Sequence, residues 1–410
     1  MQRTTAIVLS LILGATVVAE QQTTPPPQQA PVFRSGVDLV TVDVRVIDRG
    51  GRPMTSLASW DFKVSIDGRP RRVVWATVER YTSRPDEGVP APAATTATGT
   101  EPAAPPPVRR HYLLAVDETS FDLKNAPVAM QAARRFIDGL QPRDMVALFA
   151  YPVGGAQTNL TTDHAVVRKA IDRVMGVRDL SFGMFHMTPS EFIDIAAGDV
   201  EARSRVVLRE CGPAVSTHPR CADQVLAEAR SAVAYYEGIA GQSLGALKGV
   251  LKDFEKIDGR KTIIMVTGGM IQSDRGTRPD NSTLLKLVGE WAAAANTSFY
   301  LIHMDSSFLD AFSVVRPGPP NVQSLLRDRN ILGIGLERIV DSAGGELFRV
   351  EAGTGDAAFN RVLSETSAYY LLGVAPEDRD RDGRTHRLDV EIGQGGLSVR
   401  NRKQVLIPKR

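Results

Sequence analysis

The stretch His111–Asp122, HYLLAVDETSFD, joins an apolar run to oxygen-bearing side chains. The run does not alternate with polar residues, which indicates a strand buried on both faces. Asp117 ends this strand, and Thr119 adds a hydroxyl two residues later. Ligands of open α/β sheets gather at the carboxyl ends of strands, so this segment is a candidate site. Asp117 as a cap of the following turn or helix is the other interpretation.

A second pattern is Gly241–Gly245, GQSLG, which has the G-x-S-x-G spacing of a hydrolase nucleophile elbow. Asp305 and His386 follow Ser243 in the triad order Ser, Asp, His. The elbow requires a buried strand directly before the serine, whereas AVAYYEGIA precedes this one and carries Glu237. We therefore predict that Ser243 is the N-cap of a helix, with a serine hydrolase as an alternative.

A third pattern, DRDRDG, has the D-x-D-x-D-G spacing of Ca²⁺-binding loops. The carboxylates that would form a calcium loop are Asp378, Asp380, Asp382 and Asp389, the last standing where an EF-hand places its bidentate glutamate. Interleaved arginines compete with a cation, and strand-like runs flank the pattern. A polar hairpin turn is therefore the second interpretation.

The chain has two cysteines, Cys211 and Cys221, within CGPAVSTHPRC. In an exported chain, two nearby cysteines most simply form a disulfide. A zinc site would need more ligands than His218 supplies, and the spacing is far from the C-x-x-C of redox pairs. We therefore predict a Cys211–Cys221 disulfide.

The composition is that of an ordinary globular protein. The 410 residues are 43% hydrophobic and carry a formal net charge of +2 with interspersed signs. This balance predicts no nucleic-acid partner and no polybasic membrane surface.

The N-terminus has the pattern of a signal peptide. Arg3 precedes the apolar run Ala6–Val18, and Val17-Val18-Ala19 has the small residues of a cleavage site. We predict cleavage after residue 19, a secreted or periplasmic location, and no integral membrane segment after cleavage. An uncleaved anchor is the alternative, although the run is short for a bilayer span.

Composition divides the rest of the chain into five segments. A disordered Pro/Gln/Thr tether (20–33) precedes a β-rich segment (34–81), a Pro/Ala/Thr linker (82–109), an α/β domain (110–367) with an insertion (176–230), and a second β-rich segment (368–410). Each β-rich segment is short for an independent fold, so we predict that they pack together as one β-sandwich-like module.

Strands and helices alternate in the α/β domain, which predicts a mostly parallel sheet covered on both faces. The predicted strands are Tyr112–Val116, Met145–Tyr151, Lys261–Thr267, Ser298–Met304 and Glu346–Val350. The predicted helices are Val128–Leu140, Ala165–Met175, Ser243–Ile257, Ser282–Ala295, Ile331–Ala343 and Ala357–Ser367.

Four motifs in order resemble a known family: VDLVTVDVRVIDRGGRPMTSLASWDFKVSIDGRP, LLAVDETS, SLGALKGVLKDFEKIDGRKTIIMVTGG, and SAYYLLGVAP followed by HRLDVEI. They resemble the secreted von Willebrand factor type A-related proteins of acidobacteria. The resemblance covers most of the chain after the tether, apart from the linker and the insertion. It implies a Rossmann-like type A domain and, by fold analogy, protein recognition rather than catalysis.

Type A domains commonly carry a metal-ion-dependent adhesion site, D-x-S-x-S with a later Thr and Asp, whose oxygens hold Mg²⁺. By this resemblance Asp117 and Thr119 fill the first two positions, and Ser243 is nearest to the threonine. Phe121 and Gly268 replace the third hydroxyl and the later carboxylate. The resemblance therefore implies a degenerate site.

The leading hypothesis is thus an exported, non-catalytic protein-binding or adhesion protein. Its partner is an unidentified protein, and the sequence assigns it no definite cofactor. The alternatives are a metal-dependent adhesion protein with Mg²⁺ or Mn²⁺, with Ca²⁺ as a further candidate, and a serine hydrolase using Ser243.

Overall fold

A computed structural model describes residues 39–409, except 82–108, 122, 124–125, 153, 179–182, 213–219, 307–321, 352 and 354. The predicted signal peptide (1–19), the tether (20–33), all but the last residue of the linker (82–109), and His218 lie outside the described residues.

The strands are β1 (Val40–Ile47), β2 (Phe62–Ile66), β3 (Arg69–Arg71), β4 (Val73–Arg80), β5 (His111–Asp117), β6 (Met145–Tyr151), β7 (Lys261–Thr267), β8 (Thr297–Met304), β9 (Gly345–Val350), β10 (Ala368–Val374), β11 (Thr385–Ile392), β12 (Ser398–Asn401) and β13 (Gln404–Leu406). The helices are α1 (Ala126–Asp138), α2 (His164–Ile171), α3 (Pro189–Ala196), α4 (Val200–Cys211), α5 (Cys221–Phe254), α6 (Ser282–Ala294), α7 (Val322–Ala343) and α8 (Asp356–Glu365).

A five-stranded, all-parallel sheet has the order β6-β5-β7-β8-β9. Its central strands are continuous apolar runs because both faces are covered. Helices α1, α2 and α8 pack on one face. Helices α5, α6 and α7 pack on the other. The predicted α/β class with a mostly parallel sheet and helices on both faces is therefore confirmed.

The chain reverses its direction across this sheet between β5 and β7. From β5 it moves outward to β6, and it then crosses back to β7, β8 and β9. The carboxyl ends of β5 and β7 are therefore neighbours at a topological switch point, the place where open α/β sheets commonly bind ligands.

Two four-stranded antiparallel sheets have the orders β12-β1-β10-β4 and β13-β11-β2-β3. In the first, Val44 pairs with Tyr370, and in the second, Val64 pairs with Val390. Alternating apolar residues of both sheets form one core between them. Strands from the two ends of the described chain thus share both sheets.

Helix α5 differs from its prediction. It begins at Cys221 rather than Ser243, so Ser243 lies in the middle of a helix and its predicted role as an N-cap is wrong. The residues before Ser243 are mostly alanine and other good helix formers, and they continue the helix without a break. The end of the predicted insertion is therefore the first part of α5.

The insertion has a core of its own, formed by α3, α4, the first turns of α5 and neighbouring apolar residues. The Cys211–Cys221 disulfide is present and joins the end of α4 to the start of α5. This confirms the predicted pairing. Phe185 is buried in the core of the insertion, whereas Met184 is exposed.

Candidate functional site at the carboxyl edge of the parallel sheet

Asp117 is almost completely buried at the end of β5. Its carboxylate accepts a hydrogen bond from the Thr119 hydroxyl, with 2.6 Å between Thr119 Oγ1 and Asp117 Oδ1. Burial raises the pKa of Asp117 to about 6, although hydrogen bonds from Thr119, Ser120 and Thr267 act in the opposite direction. The structure therefore brings Asp117 and Thr119 together, and neighbours of the carboxylate supply its hydrogen bonds.

The switch point itself is closed by a contact between two loops. The Ser120 hydroxyl donates to the Asp117 carbonyl at 2.6 Å and accepts the backbone N–H of Gly268 at 2.7 Å. A Cβ atom on Gly268 would lie 2.3 Å from the Ser120 carbonyl oxygen. The position that supplies a carboxylate in type A domains therefore has no space for a side chain.

Phe121, at the third motif position, is buried in the core with α1. It supplies no oxygen ligand. Of the motif positions on the β5 loop, Asp117 and Thr119 alone carry suitable side-chain oxygens, and the Thr119 hydroxyl already bonds to Asp117. Mg²⁺ prefers six oxygen ligands in near-octahedral geometry. The residues present do not fit an adhesion-type Mg²⁺ site.

Ser243 lies on the part of α5 that packs on the sheet, because Ala240, Leu244 and Tyr151 share one apolar cluster. Its side chain is buried, and across the described ranges its Oγ has no hydrogen-bond partner. The Tyr151 hydroxyl is orphaned in the same way, and burial, together with the charge of Asp117, raises the pKa of Tyr151.

The hydrolase residues are not brought together. Ser243 lies inside a helix instead of at the strand-to-helix turn that an elbow requires. His386 lies on β11, where its ring nitrogens contact Asp67 at 2.8 Å and Asp382 at 3.0 Å. Asp305 forms an ion pair with Arg329 at 2.6 Å.

The four carboxylates of the calcium pattern bond to several different partners. Asp380 forms a buried, two-bond ion pair with Arg71 at 2.7 Å. Asp382 bonds to His386, and Asp389 bonds to Arg387 at 2.9 Å. Asp378 begins a single 3₁₀ turn. In the part of the chain that the structure describes, no group of three or more His, Cys, Asp or Glu residues is arranged to hold a metal ion.

The sequence did not point to a set of exposed apolar side chains on the chain segments that adjoin the β5 loop. We call it the carboxyl-edge patch and define it as Leu123, Met175 and Val177, whose exposed fractions are 68%, 57% and 58%. Glu118 holds the segment in place: its carboxylate accepts the Met175 N–H at 3.0 Å, and its carbonyl accepts the Val177 N–H at 2.9 Å. Exposure depends on tertiary packing, so no sequence pattern marked these residues.

Comparison with known protein families finds no match for the chain, and comparison with curated proteins finds none either. Within the described ranges, none of the helices combines the length and the apolar character needed to cross a membrane.

Proposed function

We propose that this protein is an exported, non-enzymatic binding or adhesion protein whose type A-like domain binds a partner protein through the carboxyl-edge patch. The observation that carries the proposal is the exposure of three large apolar side chains next to a closed switch point. The Cys211–Cys221 disulfide suits an oxidising compartment and supports export.

The patch has two properties of a protein-binding surface, exposed apolar side chains and a preorganised backbone. Single exposed apolar residues are ordinary, but several at one edge mark an interaction surface. Hydrogen bonds from Met175 and Val177 to Glu118 fix the backbone below the patch. Fixing the backbone in advance lowers the entropy lost when a partner binds.

The alternative is metal-dependent adhesion through Asp117 and Thr119, with Mg²⁺ or Mn²⁺ as the ion. A carboxylate ligand at position 268 would require the Ser120 and Gly268 loops to separate, and separation would break the 2.7 Å hydrogen bond between them. The metal-independent proposal requires no such opening.

Capture from the extracellular and periplasmic fractions of the producing cells tests the patch. We expect the wild type to capture a defined protein, also in the presence of EDTA, and L123S/V177S to lose it. The matched control is V200S/L208S, which removes two exposed apolar residues from α4. Equal capture by all three chains would contradict the proposal.

Isothermal titration with Mg²⁺, Mn²⁺ and Ca²⁺ separates the two adhesion hypotheses. We expect no binding heat for the wild type. Clear binding that Asp117→Ala abolishes would establish the metal-dependent alternative instead. An ester-hydrolysis assay on wild type and Ser243→Ala addresses the third hypothesis, and we expect both to match the uncatalysed rate.

A further inference from the structure

A small cavity lies at the opposite edge of the parallel sheet, where the amino ends of β5 and β7 meet the sheet of β1, β10 and β4. Three arginines, three tyrosines, two threonines and one histidine line it, and none of these lining residues is acidic. All nine side chains are able to donate hydrogen bonds. The volume that the centre of a water-sized sphere can occupy inside the cavity is about 10 Å³. This is room for one water molecule or one monatomic ion.

Arg45 on β1 is the most deeply buried of the three arginines, at 2% exposure. Its guanidinium donates to the Tyr300 hydroxyl at 3.1 Å and to the Ser298 hydroxyl at 2.7 Å, and it lies over the Tyr300 ring. These recorded partners are neutral. A buried cation with neutral partners keeps a large part of its desolvation penalty.

Arg260 directly precedes β7 and is only partly compensated. Its recorded ion-pair partner is Asp43, 3.9 Å from Arg260 Nε. Its Nη1 is buried and has no hydrogen-bond partner among the described residues. Burial and, secondarily, the charge of Arg45 lower the pKa of Arg260 to about 10. Arg260 is therefore repelled by Arg45 and paired with a carboxylate that lies 3.9 Å away.

Arg110, the third arginine, is fully paired. Its Nε bonds to Asp144 Oδ1 at 2.8 Å, and its Nη2 bonds to the second carboxylate oxygen of Asp144. In this pair, the protein itself supplies the anion for a buried guanidinium, as the carboxylate of Asp144. Within the part of the chain that the structure describes, Arg45 and Arg260 have no such two-bond carboxylate partner.

We propose that a monatomic anion of the chloride class binds in this cavity, between Arg45 and Arg260, and stabilises the contact between the antiparallel sheet and the parallel sheet. Arg45, Tyr81 and Tyr369 come from the antiparallel side, and Arg110 and Arg260 come from the parallel side. The cavity admits a halide and excludes phosphate by size. The site does not depend on the carboxyl-edge patch.

Thermal unfolding of the full chain in sodium chloride and in sodium isethionate at equal ionic strength tests the proposal. The organic sulfonate is too large for the cavity. We expect chloride to raise the wild-type midpoint by about 2 °C, and R45M and R260M to lose this difference. The control R384M removes an exposed arginine and is expected to respond like the wild type. An identical wild-type midpoint in the two salts, or an unchanged response in both cavity variants, would overturn the proposal.

Wild-type crystals grown in sodium bromide give a readout that needs no variant. We expect an anomalous peak within hydrogen-bond distance of Arg260 Nη1. A water molecule at that position, with no anomalous signal, would overturn the proposal.

Discussion

The two edges of the parallel sheet hold buried charge in opposite ways. At the carboxyl edge, the Asp117 carboxylate receives hydrogen bonds from residues of its own loop and from Thr267. At the amino edge, the hydrogen-bond partners of Arg45 are neutral, and Arg260 Nη1 has no partner among the residues that the structure describes. A buried charge that is hydrogen-bonded by nearby residues of the same chain is part of the fold. A buried charged group without a hydrogen-bond partner indicates a bound ion or ligand.

The largest effect should come from Gly268→Ala, which tests whether the carboxyl edge is closed. The new Cβ would lie 2.3 Å from the Ser120 carbonyl oxygen, so we expect the free energy of unfolding to fall by about 4 kcal/mol. Denaturant unfolding measures it. Gly245→Ala is the control, because no atom lies within 4 Å of its Cβ position and alanine favours the helix. Equal stability of the two variants would mean that the loops separate easily.

Asp117→Asn tests the charge at that edge. The folded-state pKa of about 6 lies above the unfolded value, so the folded protein binds more protons between about pH 4 and 6. The contribution of Asp117 to the free energy of unfolding therefore falls by about 2 to 3 kcal/mol as pH rises through this window. We expect Asp117→Asn to lack this fall. Parallel pH profiles of the variant and the wild type would contradict the assigned pKa.

Thr119→Val tests whether the loop supplies the partner of Asp117. It removes the hydroxyl that donates to the Asp117 carboxylate at 2.6 Å. We therefore expect the free energy of unfolding above pH 6 to fall by about 1.5 kcal/mol. Thr119→Ser keeps the hydroxyl and should retain most of the stability. Urea unfolding at pH 7 compares the three chains, and a loss shared by both variants would point to packing instead.

The smallest effect is expected at the amino edge without chloride. Arg260→Met removes a guanidinium that Arg45 repels, so the lost cation–π contact with Tyr369 and the relieved repulsion offset each other. We expect the free energy of unfolding to change by less than about 1 kcal/mol in isethionate. A loss as large as that of Gly268→Ala would show that the chain compensates Arg260 by itself.

The parallel sheet was largely predictable because its central strands are continuous apolar runs with clear ends. The predicted bounds of β6 and β7 agree with the structure at every residue. The start of α5 was missed although Val225, Ala229 and Val233 recur at helical spacing, because two glycines directly before Ser243, at positions 238 and 241, disfavour a helix. The predicted N-cap at Ser243 failed for the same reason.

The features of the candidate sites were predictable where they lie within one segment of the chain and were missed where distant segments form them. Asp117 and Thr119 were predictable because they lie two residues apart on one loop. The contact of Ser120 with Gly268 joins residues 148 positions apart, and the pattern of neither segment contains it. The cavity at Arg45 and Arg260 was also not predictable from the sequence. Arg45 lies on a strand of one sheet and Arg260 lies just before a strand of another, and only the folded chain brings them together.

The pairing of β1 with β10 determines how late in synthesis β1 can meet its hydrogen-bonded neighbour. β1 emerges from the ribosome roughly 300 residues before β10, its hydrogen-bonded neighbour. During that interval the edges of β1 and β4 are open to pairing with other chains. Proteolytic loss of the segment after Glu365 would remove the strand that lies between β1 and β4 and leave all five parallel strands in the chain. A cut after Glu365 would therefore leave β1 and β4 without the strand that lies between them.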